Sequence, residues 1–178
     1  MIKIGDQIIS SKHLPVLVAE ISSNHNGSWS RMVNLIKQAH KIGIKVIKIQ
    51  TYTADTMTLN IKRKEFLIKN SKHYTGSLYD LYKKAHTPWD WHNRIFQLCK
   101  KLNMTCFSTP FDETAVDFLE KMNVPAYKIS SFECTDFPLI KKIANTGKPT
   151  IISTGMCSRK EIQETVKYFH KNSKKKII

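Results

Sequence analysis

The sequence predicts an α/β fold in which βα units repeat around a parallel sheet. Two observations lead there. Short apolar runs rich in β-branched residues alternate with longer stretches of helical period, and each run ends in small or polar residues. The alternation completes five units and closes on "KKKII", which reads as the opening of a sixth strand.

The first strand is read at 16–22, "VLVAEIS", with Glu20 interrupting its apolar run. A helix at 30–42 follows, with Ser30 as its capping candidate. The second strand, 46–51, "VIKIQT", sets Lys48 among apolar residues with Gln50 two positions on, so alternation puts both on one face. From Tyr52 to Thr87 the connection far exceeds an ordinary βα loop of about 2–6 residues, which predicts a lid or substrate loop with its own short helix near "SLYDLYKKA". Thr87, with Pro88 at the first helical position, opens a helix at 89–102. The remaining units pair strand 105–110 with helix 112–121, strand 126–131 with helix 137–145, and strand 150–155 with helix 158–171. Their capping candidates are Asp112, Asp136 and Ser158. Pattern alone leaves two architectures open. One is a flavodoxin-like open sheet, although its glycine-rich phosphate turn is not evident after the first strand; the other is part of a (β/α)8 barrel.

At 178 residues, 41% hydrophobic and 24% charged, the chain suits one globular domain. No apolar run approaches the roughly 18 residues of a membrane span, and the N-terminus lacks a secretory stretch, so the expectation is a cytoplasmic protein without a membrane partner. Cys99, Cys106, Cys134 and Cys157 are widely spaced and read as free thiols, since no C-x-x-C pair or matching histidine spacing supports zinc or a disulfide framework. The net charge of +15 is spread over helical faces and the tail without interleaved aromatics, which reads as solvated lysine surface rather than a nucleic-acid site.

Every strand end carries polar groups: Glu20; Lys48 and Gln50; Ser108 and Thr109; Lys128, Ser130, Ser131 and Glu133; Ser153 and Thr154. A buried ammonium without a partner is costly, so Lys48 is expected to point at an anionic ligand. Each residue also has a structural reading. Lys48 and Glu20 could form an ion pair, the hydroxyls could cap helices, and His25 in "SNHNGS" could be a turn residue bonded to backbone. Their coincidence on five successive strand ends favours a site in which lysines neutralise charge, hydroxyls bind oxygens and a carboxylate moves protons. One geometric condition attaches: Lys128 with Ser130 and Ser131 with Glu133 are on opposite alternation phases, so the strand must turn or bulge near Ser130.

The segments "AEISSNHNGS", "IKIQTYTADTMTLN", "FSTPFD", "AYKISSFECTDFPLI" and "KPTIISTGM" resemble, in order, signature segments of the sialic acid synthase family, phosphoenolpyruvate-condensing enzymes that make nonulosonic acids. Within the family, "QTYTADTMTLN" and "LYDLYKKAHTPWDWH" are most similar to pseudaminic acid synthases. The resemblance implies a TIM barrel followed by a small antifreeze-like domain, in a homodimer. It implies a carbon–carbon bond-forming transferase that joins phosphoenolpyruvate to an acetamido sugar, here 2,4-diacetamido-2,4,6-trideoxy-L-altrose, with release of phosphate and with Mn2+ or Mg2+ as cofactor. By the same resemblance Lys48, Thr109, Lys128, Ser131 and Ser153 hold the phosphate and carboxylate of phosphoenolpyruvate. Gln50 and Glu20 face the sugar and metal-bound water, and Glu133 assists proton transfer.

The family's metal-ligating histidines have no counterpart among His13, His25, His40, His73, His86, His92 and His170, so no metal ligand is assigned in this chain. Residues 1–178 are therefore expected to form an incomplete TIM barrel, the N-terminal portion of a synthase without its remaining strands and C-terminal domain. Its open edges and exposed interior predict inactivity and marginal solubility when alone. The rival readings are an N-acetylneuraminate or legionaminic acid synthase, a Schiff-base aldolase using Lys48 or Lys128, and a non-catalytic basic binding module.

Overall fold

The computed structural model describes residues 1–69, 74–175 and 177–178; His73 and Lys176, named or quoted above, lie outside the described residues. The chain opens with a hairpin of β1 (Ile2–Ile4) and β2 (Gln7–Ile9), paired Ile2 to Ile9 through Ile4 to Gln7. This hairpin is missing from the elements predicted above, although Gly5-Asp6 between two apolar runs is a two-residue turn signal. Gly5 supplies the positive φ, 55°, that such a turn requires.

The βα units then follow in order: β3 (Val18–Glu20), α1 (Trp29–Lys41) and β4 (Val46–Thr51). The long connection holds α2 (Ala54–Met57), the short strands β5 (Leu67–Ile68) and β6 (Gly76–Ser77), and α3 (Leu78–Ala85), the helix expected near "SLYDLYKKA". Next come α4 (Trp89–Lys101), β7 (Thr105–Pro110), α5 (Glu113–Glu120), β8 (Tyr127–Ile129), α6 (Phe137–Asn145), β9 (Thr150–Ile152) and α7 (Arg159–Asn172). β4, β7 and α6 match their predicted limits. β3, β8 and β9 are shorter than predicted: their polar ends leave the ladder to form rim loops, and β3 and β8 also begin later, at Val18 and Tyr127.

Asp112, Asp136 and Ser158 cap their helices as expected, each accepting from backbone N–H groups of the first turn. Two caps differ. Ser28, not Ser30, caps α1, and Ser30 lies inside the first turn against the Ser28 hydroxyl at 3.0 Å. Thr87 does not cap α4; it is buried, with its hydroxyl 3.5 Å from His25 Nε2.

Among the described residues the parallel sheet has the order β3-β4-β7-β8-β9, which follows the chain without reversal. A doubly wound sheet reverses direction at a switch point and so covers both faces with helices. With a monotonic order, right-handed crossovers put every helix on one face. The other face becomes the inside of a curled sheet, which decides the architecture as part of a (β/α)8 barrel. The expected sixth strand begins where predicted: Thr150 bridges Ile177 in parallel, and Ile178 N–H donates to Thr150 O at 3.0 Å.

Side-chain alternation separates two environments. On the helix side, Ile47, Ile49 and Cys106 pack with Met32, Ile36, Ile95 and Cys99. Further along, Tyr127 and Ile129 pack with Leu139, Ile140, Ile143 and Phe169. On the inner side, Val46, Phe107 and Ala126 meet Ile4, so the N-terminal hairpin plugs the lower mouth of the curl. The root of the long connection is pinned as well. Tyr52 is buried edge-on between Tyr82 and Phe111, and Trp89 Nε1 donates to its carbonyl at 3.1 Å. Cys99, Cys106 and Cys134 are buried thiols and Cys157 is half-buried; none forms a disulfide. No described helix is long and apolar enough to cross a membrane.

Candidate functional site

Since Ile47 and Ile49 face the helices, Val46, Lys48 and Gln50 face inward from β4. Glu20 is the register partner of Lys48 on β3, and Gln50 is paired with Thr109 on β7. Lys128 alternates with Tyr127 and Ile129 and so faces inward from β8. Ser153 continues that face beyond β9, its N–H donating to Ile129 O at 3.0 Å. The predicted residues therefore gather along one concave rim.

Lys48 is 8% exposed and its amine is paired with the Glu20 carboxylate. This corrects the expectation that its partner is the ligand alone: the carboxylate one strand away already satisfies it. Burial first, and the neighbouring Lys128 charge second, hold the Lys48 amine down to about 8. Lys128 is also lowered by burial, with Glu133 pulling it back up. The two cations thus share one field.

The phase conflict on β8 resolves as the geometry requires. The strand ends at Ile129, and a turn follows in which Cys134 N–H reaches Ser131 O at 3.4 Å and Asp136 N–H reaches Glu133 O at 3.0 Å. The turn returns Glu133 to the inner side, where its carboxylate accepts from the Ser130 hydroxyl and influences Lys128. Burial raises the Glu133 carboxyl above its ordinary range, and the Ser130 bond opposes that rise. Ser131 lies against the loop after β9: a Cβ on Gly155 would stand 3.0 Å from Ser131 Oγ.

Thr109 is 1% exposed, and its hydroxyl has no partner among the described residues. A buried hydroxyl without a bond costs about 1–3 kcal/mol, and an inward-facing one at a strand end is placed to bond a ligand oxygen or a water.

Two contributors were not foreseen. Ser22, in the left-handed region at φ 44°, donates its hydroxyl to Gln50 Oε1 and so orients that amide. Gly155 allows the Ser131 turn to approach; the Thr154-Gly155 pair after a strand was the available signal. Ser108, grouped above with the strand-end hydroxyls, faces the helix side instead, 2.6 Å from Thr51 Oγ1. His25 is structural, buried and accepting from Gly27 N–H at Nδ1 over 3.0 Å; burial, then His86, lowers its pKa. Among the described residues no group of three or more His, Cys, Asp or Glu side chains could hold a metal ion. The described residues therefore do not supply a ligand set for the divalent metal that the resemblance implies.

His92, fully buried beneath the site, gives one testable consequence of its surroundings. Burial pushes it down to about 4, against the opposing pull of carbonyls at Pro88, Trp89 and Gln50. The unfolded chain takes up this proton near 6.5, the folded chain only near 4. Stability is therefore fully present above about pH 6.5 and falls as the pH drops toward 4, by up to about 3 kcal/mol at 1.36 kcal/mol per unit. Denaturant unfolding at about pH 7 and about pH 4.5 measures this, and His92→Gln is expected to flatten that part of the profile.

Comparison with known proteins agrees with this architecture. A model of the NeuB family matches residues 35–178. Pseudaminic acid synthase of Campylobacter jejuni is 40% identical over 162 residues, 91% of this chain and 47% of that protein. The pseudaminic acid synthase of Helicobacter pylori is 41% identical over 152 residues, 85% of this chain and 45% of that protein. The chain thus spans about half the length of the curated relatives it matches. Among solved structures, N-acetylneuraminic acid (sialic acid) synthetase from Leptospira borgpetersenii, in complex with citrate, superposes with a TM-score of 0.83 at 25% identity, covering 96% of this chain and 55% of that one. A phospho-2-dehydro-3-deoxyheptonate aldolase from Thermotoga maritima shares the fold, with a TM-score of 0.68 at 14% identity over 99% of this chain and 44% of that one.

Proposed function

The chain belongs to the NeuB family, and from that premise we propose that its rim binds phosphoenolpyruvate for condensation with 2,4-diacetamido-2,4,6-trideoxy-L-altrose, forming pseudaminic acid and releasing phosphate. The observation that carries the proposal is one juxtaposition: two lysines sharing a field beside Thr109, a buried inward hydroxyl without a partner among the described residues. The choice of sugar is supported by 40–41% identity to pseudaminic acid synthases against 33% to the N,N'-diacetyllegionaminic acid synthase of Legionella pneumophila.

In this reading Lys48, Lys128, Thr109, Ser131 and Ser153 hold the phosphate and carboxylate. The arriving anion displaces Glu20 from Lys48, which is a small penalty because the Glu20 side chain is 43% exposed and recovers water. Freed, Glu20 turns to the sugar beside Gln50, whose amide is already set by Ser22. The C3 carbon of phosphoenolpyruvate attacks the sugar aldehyde, water adds at C2, and the tetrahedral centre collapses with loss of phosphate. Glu133 is suited to move the proton of that water, since burial brings its carboxyl closer to working pH than a solvated one.

Calorimetric titration of the 178-residue chain with phosphoenolpyruvate tests the reading. Saturable binding, competed by inorganic phosphate, is the expected result; no binding overturns it. Borohydride treatment in the presence of a carbonyl substrate separates the Schiff-base alternative, for which a covalent lysine adduct is required and here is not expected.

A further inference from the structure

The strand ends carrying Gln50 and Thr109 are joined on the reverse of the sheet by a buried polar network that the condensation does not use. Thr51 and Ser108 are their chain neighbours, and alternation turns both toward α4. Thr51 Oγ1 lies 2.6 Å from Ser108 Oγ and 2.8 Å from His92 Nε2, and all three residues are fully buried. Ser108 also reaches Ile49 O at 3.2 Å, and His92 Nδ1 contacts Pro88 O at 3.1 Å.

The Pro88 carbonyl fixes the order of donors at the imidazole. A carbonyl only accepts, so Nδ1 carries the imidazole proton and donates to Pro88 O. Nε2 is then an acceptor, and the Thr51 hydroxyl must donate to it. Ser108 is left to donate to Thr51 or to Ile49 O.

The sheet has a reason to need this tie. The register partner of Thr51 is Pro110, the last residue of β7, so the backbone pairing of β4 with β7 stops at the end that bears the site. The side chains of Thr51 and Ser108 bridge the same two strands one step away, and His92 fastens that bridge to α4. Trp89, three residues earlier on α4, is held to Tyr52 O and keeps the helix start in place.

We infer that His92 is a positioning residue: by accepting the Thr51 hydroxyl it fixes the ends of β4 and β7, and with them the inward aim of Gln50 and Thr109. The inference deepens the proposed function and rests on it for its ligand.

The test uses three substitutions and a control, with phosphoenolpyruvate affinity read by calorimetry. His92→Phe removes the acceptor and strands the Thr51 hydroxyl. His92→Asn keeps an amide where Nδ1 stood, and His92→Gln places an amide oxygen where Nε2 stood. Loss of about tenfold in affinity is expected for Phe and Asn, with Gln within about twofold of the native chain. Phe169→Leu, a core change on the buried face of α7 in the other cluster, is expected to lower stability without weakening binding. Asn binding as well as Gln, or Phe169→Leu weakening binding as much as His92→Phe, overturns the inference. If His92→Phe does not fold, the contrast between Asn and Gln decides alone. If the native chain does not bind phosphoenolpyruvate, the functional reading falls, and ligand-free NMR decides the positioning role. The Gln50 side-chain amide and Thr109 methyl signals are then expected to move in His92→Asn and return in His92→Gln, and unmoved signals overturn it.

Discussion

Replacing Lys48 with methionine is expected to weaken phosphoenolpyruvate binding by about 100-fold while the chain stays folded. Charge-assisted hydrogen bonds to an anion contribute about 1.5–3 kcal/mol, which covers that loss. Methionine keeps the buried stem of a residue that is 8% exposed. The carboxylate left behind does not become a stranded buried charge, since the Glu20 side chain is 43% exposed. Glu20→Gln should act in the opposite direction, tightening phosphoenolpyruvate by about threefold because the ligand no longer competes with a carboxylate for Lys48. Burial, then the Lys128 charge, holds the Lys48 amine down to about 8 in the free chain, so affinity is expected to decline as the pH rises past that value. Calorimetry across the series separates the two roles available to this lysine. Unchanged affinity in Lys48→Met would make the Lys48–Glu20 pair purely structural and remove the basis of the proposed function.

Gly5→Val is expected to destabilise the chain by about 2–4 kcal/mol, read by denaturant unfolding. Gly5 sits at φ 55°, where an L side chain costs about 1–2 kcal/mol and a β-branched one more. A Cβ there would also stand 2.3 Å from Thr105 Oγ1 and 2.7 Å from its Cγ2, which forces the hairpin away from the lower end of β7. Combining Gly5→Val with Thr105→Gly should recover the packing part of the loss and leave the backbone part. Complete recovery in the double variant would mean that the turn conformation carries no strain, contrary to the argument.

The elements that could be read from the amino-acid order are those whose signal is local. β4 and β7 emerged to the residue because each is a short run buried on both faces and bounded by turn or polar residues, and α6 because Asp136 caps it before a clean apolar period. The shared inward face of Lys48 and Gln50 also needed only alternation. What escaped depends on register and neighbours. That Glu20 stands opposite Lys48, rather than one step away, is set by how two parallel strands slide, and no local pattern records it. Ser108 and Thr109 look alike in sequence, yet one serves the helix side and the other the site, since alternation gives the phase only when one residue's face is known. Ser30 and Thr87 were credible caps because Ser and Thr favour that place, but Ser28 is better placed at α1 and Thr87 is drawn to His25. The choice between an open sheet and a curled one waited on strand order, which only tertiary contacts reveal.

Neighbouring strands of the sheet are also successive in the chain, so the sheet can be laid down from one edge while the polypeptide is still being synthesised. Each new strand then meets a partner that is already in place. The hairpin at the start breaks this rule, for Ile4 seats against Phe107 and Ala126, which are made more than a hundred residues later. The hairpin is thus made before the strands it seats against and is among the last elements to settle.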